Sequence, residues 1–131
     1  MKTTIKTYLI SLLTALLLVA TPAVAAEKNL SDAEIKSLLN GKSIAGVHYA
    51  SRTLQYFSES GLTLWIKDGD AKPSEGQWKV ENNSYCSNFG SDWGCYKVVL
   101  DEEQQIYYFI KEGFRAPFIS LGEGAMLNIS M

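Results

Sequence analysis

The sequence is poor in the side chains that hydrolytic active sites use. It contains one histidine and two cysteines among 131 residues. Catalytic triads and general bases that work near neutral pH usually need a histidine, and His48 is the only candidate. His48 stands between Val47 and Tyr49 in a predicted strand, where a lone histidine is typical of a structural role. We therefore expect no catalytic residue and no enzymatic activity.

Metal and cofactor motifs are also scarce. Cys86 and Cys95 are too far apart for a two-residue redox motif, and one distant histidine does not complete a zinc set. Residues 68–75 contain three acidic side chains that could supply oxygen ligands to calcium, but Lys72 lies among them and the complete ligand loop is missing. No glycine-rich phosphate loop of a recognised spacing occurs. The expectation is no metal and no cofactor.

Carboxylate chemistry has one further candidate. Asp101, Glu102 and Glu103 form the densest acidic cluster, and paired carboxylates can carry out glycoside hydrolysis. Three adjacent acids between two predicted strands are more typical of a solvated turn. We interpret them as a turn.

The amino terminus has the pattern of a secretory signal peptide. Lysines precede an apolar run at residues 8–20, and small residues follow it as far as Ala26. A membrane span needs roughly 20 apolar residues, so an uncleaved membrane helix is the weaker interpretation. The sequence predicts a cleaved signal peptide at residues 1–26 and a single β-rich domain at residues 27–131. The mature protein is then periplasmic or secreted, with no membrane span.

The charge balance argues against polyanion binding. The chain carries 12 basic and 14 acidic residues, and removal of Lys2 and Lys6 with the signal peptide leaves 10 against 14, a net charge of −4. The remaining basic residues are scattered, and nucleic acid binding needs a basic cluster. We expect no nucleic acid partner.

Two cysteines in an exported chain favour one intramolecular disulfide, between Cys86 and Cys95. Two buried, reduced thiols are the alternative. A bridge across so short a loop stabilises the fold by roughly 2.5 kcal/mol in the chain-entropy model.

The periodicity predicts one short helix and then only strands. Ser31 and Glu34 form a capping-box pattern, apolar residues recur at helical spacing up to Leu39, and Gly41 ends the helix. After Gly41 the period changes to that of a strand. Predicted strands occupy residues 44–50, 53–57, 62–67, 76–81, 84–87, 95–100, 105–111 and 114–121.

Short strands joined by short turns predict a mainly β fold. A short N-terminal helix precedes a meander of seven or eight antiparallel strands, which forms either a small barrel or a strongly curved sheet. In residues 62–67 the alternation means that one of two faces, the one with Leu62 and Leu64 or the one with Thr63 and Trp65, points inward. Residues 106–110 are apolar on both faces, so either a second layer covers them, for which the helix is a candidate, or an aromatic surface is left exposed for a partner.

Several short motifs follow one another in a recognisable order. Leu38-Leu39-Asn40-Gly41 is followed by Tyr56-Phe57 with Gly61, then Gly76-Gln77-Trp78, Cys86, and Cys95-Tyr96-Lys97-Val98-Val99. In this order and spacing the chain resembles a family of small exported proteobacterial proteins classified as a domain of unknown function. The resemblance covers nearly the whole mature domain. It implies a periplasmic or secreted protein with no assigned reaction, and no catalytic residue to transfer.

Aromatic residues are the remaining candidates for a function. One set can lie on the same side of a curled sheet, where it lines a pocket or platform for an apolar ligand, a sugar or a partner protein, or else forms an ordinary core. This set is Tyr49, Tyr56, Trp65, Tyr107 and Phe109. Phe89 and Trp93 belong to the loop between the cysteines, where they either project outward as interface anchors or fold back onto the domain.

These observations predict a noncatalytic exported binding module for a small apolar or envelope-derived ligand. The alternative is a protein-interaction factor, such as an inhibitor of an envelope hydrolase, that uses Phe89 and Trp93 as its contact. An enzyme is the weakest of the three hypotheses.

Overall fold

The computed structural model describes residues 17–18 and 26–127. The predicted signal peptide at residues 1–26 lies outside the described residues except for Leu17, Leu18 and Ala26, so it stays a prediction. Within the described ranges, no helix has the length and apolar character needed to cross a membrane.

The described chain consists of one helix and nine strands. In chain order they are β1 (Glu27–Asn29), α1 (Asp32–Leu39), β2 (Lys42–His48), β3 (Ser51–Phe57), β4 (Leu62–Lys67), β5 (Ser74–Glu81), β6 (Ser84–Asn88), β7 (Gly94–Asp101), β8 (Ile106–Lys111) and β9 (Phe114–Glu123). All eight strands predicted after Gly41 are present, with ends that differ by at most two residues.

Strands β2 to β9 form a closed antiparallel barrel. Each strand pairs with the next along the chain, and β9 pairs back with β2. The predicted meander is therefore confirmed, and its closed form is the barrel. The short β1 lies outside the ring, where it pairs with residues 99–101 of β7 beyond the end of β6. The sequence analysis missed β1, because three exposed residues carry no alternating pattern.

A β-bulge allows β9 to close against β2. The pairing shifts between Ser43, which is opposite Gly122, and Ile44, which is opposite Ser120. Leu121 is the extra residue, and Gly122 adopts a φ of +96°, which a side chain would disfavour. The chain after the bulge crosses Ser43 on the outside, where the Ser43 hydroxyl donates to the Gly124 carbonyl at 2.6 Å.

Helix α1 has the predicted ends. The Ser31 hydroxyl accepts the Glu34 N–H at 3.3 Å, and the Glu34 carboxylate accepts the Ser31 N–H, which completes the capping box. Gly41 has a φ of +71° and donates its N–H to the Phe57 carbonyl at 2.7 Å. Asp32 and Asn83 exchange two hydrogen bonds, which tie the helix start to the β5–β6 turn.

The helix closes one end of the barrel. It packs against β2, β5 and β6, and it buries Ile35 and Leu39 completely. These two side chains meet Phe57 and Trp78 from inside the barrel. The helix, a candidate cover for residues 106–110, thus fills the end of the barrel and packs against β2, β5 and β6 instead.

The predicted disulfide between Cys86 and Cys95 is confirmed. The two residues are directly opposite each other in β6 and β7, and their Cα atoms are 4.0 Å apart. The neighbouring pair, Tyr85 and Tyr96, points into the barrel, so the disulfide lies on the outer wall.

Strand β4 turns its aliphatic residues outward. Thr63 is fully buried inside the barrel and Trp65 faces a cavity there, so Leu62, Leu64 and Ile66 belong to the outer face. Ile66 is opposite Leu54 of β3, and this outer apolar row continues through β2 to β9. The aliphatic face of a strand is therefore not a reliable marker of the barrel interior.

We predict that Leu39→Ala lowers the free energy of unfolding by about 2–5 kcal/mol, because it leaves a void where α1 fills the barrel. Urea denaturation measures this change. Lys36→Ala, on the exposed side of the same helix, is the matched control and should change the stability by less than about 0.5 kcal/mol. Equal stability of the two variants would contradict the role assigned to the helix.

Candidate ligand-binding cavity

The half of the barrel away from α1 contains a cavity of about 390 Å³. Strand β2 shows that the cavity and the helix lie at opposite ends of the barrel. Lys42 at the start of β2 donates to the Ser37 carbonyl of the helix, and His48 at its end lines the cavity. The volume is within the usual range for small-molecule sites, roughly 300–1,000 Å³.

The cavity wall is aromatic and uncharged. None of the described residues that line it is an aspartate, glutamate, lysine or arginine. Its aromatic side chains are Trp65, Tyr85, Phe89, Tyr96, Phe109, Phe114 and Phe118. Such a wall favours an apolar, neutral occupant, because burial of apolar surface drives binding and an unpaired charge would be costly to desolvate.

The inner end of the cavity is held by stacked rings. Phe109 and Phe118 stack with centroids 4.3 Å apart, and Tyr85 lies 4.8 Å from Phe109. Phe57 then contacts Tyr85 at 5.5 Å and links these rings to the core beneath α1. Phe109 and Phe118 occupy inward positions of the paired strands β8 and β9. The pairing of the barrel strands therefore fixes the shape of this inner end, which we call the floor of the cavity.

The mouth of the cavity lies at the β2–β3 turn. His48 is 5.1 Å from Phe114 and 5.7 Å from Trp65, measured between ring centroids. Tyr49 follows at the tip of the turn with a φ of +54°, and its side chain is 83% exposed. A large aromatic residue in the left-handed region is strained, and such strain is often found at binding sites.

The surroundings of His48 favour its neutral form. Burial among the aromatic rings lowers the pKa of His48, and the positive charge of Lys67 lowers it further. The described residues show no hydrogen bond to the imidazole ring. With no carboxylate to orient it and no nucleophile bonded to it, His48 has the surroundings of a wall residue.

Phe89 folds back over the mouth. Its ring packs on Gly76, so close that a Cβ at position 76 would lie 2.7 Å from a ring carbon. Trp93 instead lies on the outer wall, where the Lys79 ammonium is 4.2 Å from its ring centroid. Phe89, although 44% exposed, therefore lies on the inner side of the β5–β6 wall at the mouth, whereas Trp93, 40% exposed, lies on its outer side.

The other predicted aromatic candidates are divided among four places. Trp65 and Phe109 line the cavity. Tyr107 is on the inner face but nearer to α1, where it stacks on Phe118. Tyr49 is at the rim. Tyr56 lies on the outer face, because its neighbours in β3, Gln55 and Phe57, point inward.

Sequence reasoning missed several lining residues. Tyr96, Phe114 and Phe118 were treated only as parts of strands, since their convergence depends on pairings that are distant in the chain. Gln55 offered a readable signal. It is a polar residue between Leu54 and Tyr56 in β3, and the structure buries it to 7% exposure inside the barrel.

The acidic segments are engaged in local bonds. Asp68 accepts the Arg52 side chain at 2.9 Å, and Asp70 accepts the Lys67 N–H at 3.1 Å. Asp101 accepts the N–H groups of Glu103 and Gln104, both at 3.1 Å, as a turn residue does. The bonds of Asp101 agree with the interpretation of residues 101–103 as a turn.

Comparisons with known proteins found no match to a family model, to a curated protein or to a solved structure. The family resemblance drawn from the motifs therefore stays a prediction.

We predict that His48 makes the fold less stable at mildly acidic pH. The pKa of His48 is lowered in the folded state, while in the unfolded chain it is about 6.5. Between these two values the unfolded state binds more protons, so stability rises with pH across the window and is complete above about 6.5. Urea midpoints from pH 5 to 7.5 measure the effect.

His48→Gln is the control for this prediction, because it removes the imidazole and leaves the carboxylates in place. The difference between the two pH profiles should appear only as the pH falls below about 6.5. Parallel profiles would contradict the assignment.

We further predict that Tyr49→Asn leaves the stability unchanged or raises it by up to about 1 kcal/mol, because asparagine tolerates the left-handed region. Urea denaturation tests this, and Tyr56→Asn on the outer face of β3 is the control that should be destabilising. A loss of more than about 1 kcal/mol for Tyr49→Asn would show that its contacts outweigh its strain.

Proposed function

We propose that this protein is a noncatalytic, exported β-barrel that holds one small apolar molecule in its cavity. The observation that carries the proposal is the difference between the two halves of the barrel. One half is packed by α1 and by Phe57 and Trp78, whereas the other half leaves about 390 Å³ open inside an aromatic wall. An eight-stranded barrel can fill its interior with side chains, so an open half favours a ligand.

Export is part of the proposal. Its supports are the signal-peptide pattern at residues 1–26 and the disulfide between Cys86 and Cys95, a bond typical of oxidising compartments. A periplasmic or secreted protein meets molecules of the cell envelope and its surroundings. We therefore propose an apolar, envelope-derived or environmental ligand.

We propose that the protein is not a catalyst because the candidate groups lack the surroundings that a general base needs. His48 has aromatic neighbours, Asp68 is paired with Arg52 of β3, and Asp70 and Asp101 accept backbone N–H groups within turns. A general base needs a reacting group within hydrogen-bonding reach and a partner that orients it.

A protein-interaction factor remains the second candidate, on a separate observation. Trp93 is 40% exposed on the outer wall, beside the disulfide-bridged hairpin, and exposed tryptophans are common anchors of interfaces. Phe89 does not share this surface, so the contact would have to rest on Trp93 and its neighbours, not on the two aromatics together.

We predict that the protein binds the neutral fluorophore phenylnaphthylamine and that Ala116→Phe weakens this binding about tenfold or more. Ala116 lines the cavity, so the added ring occupies the ligand's space. Fluorescence titration measures the affinity. Ala45→Phe is the matched control, because Ala45 lies on the outer face between Leu54 and Ile119.

Two outcomes would decide against the cavity. Either the wild-type protein does not bind the fluorophore, or Ala116→Phe and Ala45→Phe both bind it with the affinity of the wild type. Native mass spectrometry of the protein from its own envelope separates the second candidate. A small-molecule adduct supports the cavity, whereas a bound protein that Trp93→Ala releases supports the interaction factor.

A further inference from the structure

A row of hydrogen-bonded polar side chains, Thr63, Gln55 and Tyr85, crosses the floor of the aromatic cavity. The Thr63 hydroxyl donates to the Tyr56 carbonyl at 2.8 Å. The Gln55 amide nitrogen donates to the Thr63 hydroxyl and to the Tyr85 hydroxyl, both at 2.9 Å. Gln55 and Tyr85 are 7% and 3% exposed and line the cavity.

The order of donors in this row fixes the orientation of the Gln55 amide. A hydroxyl has one hydrogen, and Thr63 donates its hydrogen to the Tyr56 carbonyl, which can only accept. The atom that Gln55 turns toward Thr63 must therefore be a donor, which is Nε2 and not Oε1. Both amide hydrogens are then used.

The remaining polar atom of Gln55 faces the cavity. Every fully buried side-chain nitrogen or oxygen in the described part of the chain has a hydrogen-bond partner. Oε1 takes part in none of the bonds shown for Gln55, so it must border open space. The open space that this buried side chain lines is the cavity. Its floor therefore presents a free carbonyl acceptor.

Tyr85 supplies a donor beside this acceptor. Its oxygen accepts from Gln55, which leaves the hydroxyl hydrogen to be donated. Burial raises the pKa of Tyr85 to about 12, so the hydroxyl keeps that hydrogen at any physiological pH. The Ser87 hydroxyl also lines the cavity and lies within hydrogen-bonding reach of Tyr85, so when Ser87 accepts the Tyr85 hydrogen, its own hydrogen is left to be donated into the cavity.

We propose that the cavity selects apolar molecules that carry a hydroxyl group, an alcohol or a phenol. The ligand's hydroxyl donates to Gln55 Oε1 and accepts from Tyr85, while its apolar body lies against Trp65, Phe109 and Phe118. A hydroxyl matches this adjacent acceptor and donor with its own donor and acceptor.

Other ligand classes do not provide hydrogen bonds to both the Gln55 carbonyl and the Tyr85 hydroxyl. A hydrocarbon leaves the buried Gln55 and Tyr85 groups without partners, and sites built for a hydroxyl discriminate strongly against analogues that lack it. A carboxylate would meet Gln55 Oε1 with a second acceptor and would find no lysine or arginine among the described lining residues.

This proposal rests on the ligand-binding function proposed above, and the test separates the two. Naphthalene, naphthol and naphthoate share one apolar body and differ in the polar group. Isothermal titration calorimetry with the purified protein should give naphthol an affinity about tenfold or more above that of naphthalene, and naphthoate the weakest binding. Binding of none of the three overturns the ligand-binding function itself, whereas equal binding of naphthol and naphthalene overturns only the hydroxyl selection.

Two variants assign the selection to these side chains. Gln55→Met, which keeps the volume, and Tyr85→Phe, which keeps the ring, should each bring naphthol close to naphthalene in affinity. Their binding of naphthalene shows that the cavity is still formed. Tyr108→Phe removes a hydroxyl from the outer face of β8, outside the cavity, and should keep the preference. Loss of the preference in Tyr108→Phe alone would overturn the assignment to Gln55 and Tyr85.

Discussion

The pairing of β9 with β2 is the constraint on which the rest of the structure depends. It turns a meander into a ring, leaves no free edge among the eight barrel strands, and gives the sheet an inside. The bulge between Ser43 and Ile44 makes this closure possible by bending β9 where the chain leaves the barrel. Without the closure, Phe118 and Phe109 would cover a sheet face instead of a cavity floor.

Closure creates an interior that the chain fills unevenly. Helix α1 inserts Ile35 and Leu39 at one end, where the hydrophobic gain is enough to seal the barrel without a second layer. No comparable element closes the other end among the described residues, and there the rim carries Tyr49 in a strained conformation and Phe89 on Gly76. The packed core therefore lies at the helix end, and the strained and exposed aromatic residues lie at the mouth.

The sequence predicted the barrel well because its signals are local. The capping box at Ser31, the turn residues and the alternation within each strand depend on neighbours in the chain, and nearly all pairings join consecutive strands. The disulfide followed from composition and compartment. Closure itself was left open against a curved sheet, since the pairing of β9 with β2 joins the two ends of the barrel sequence.

The interior was harder to predict because alternation defines two faces and does not say which is inside. In β4 the alternation left both faces open as the inner one, and the structure shows that Trp65 faces the cavity and Leu64 the outer wall. A narrow barrel can bury large rings that stack across it, while aliphatic side chains can cover one another in rows on the outside. The polar residue Gln55 is the better guide to which face of β3 points inward. Gln55 could be buried only with partners, and those partners, Thr63 and Tyr85, lie on the inner face.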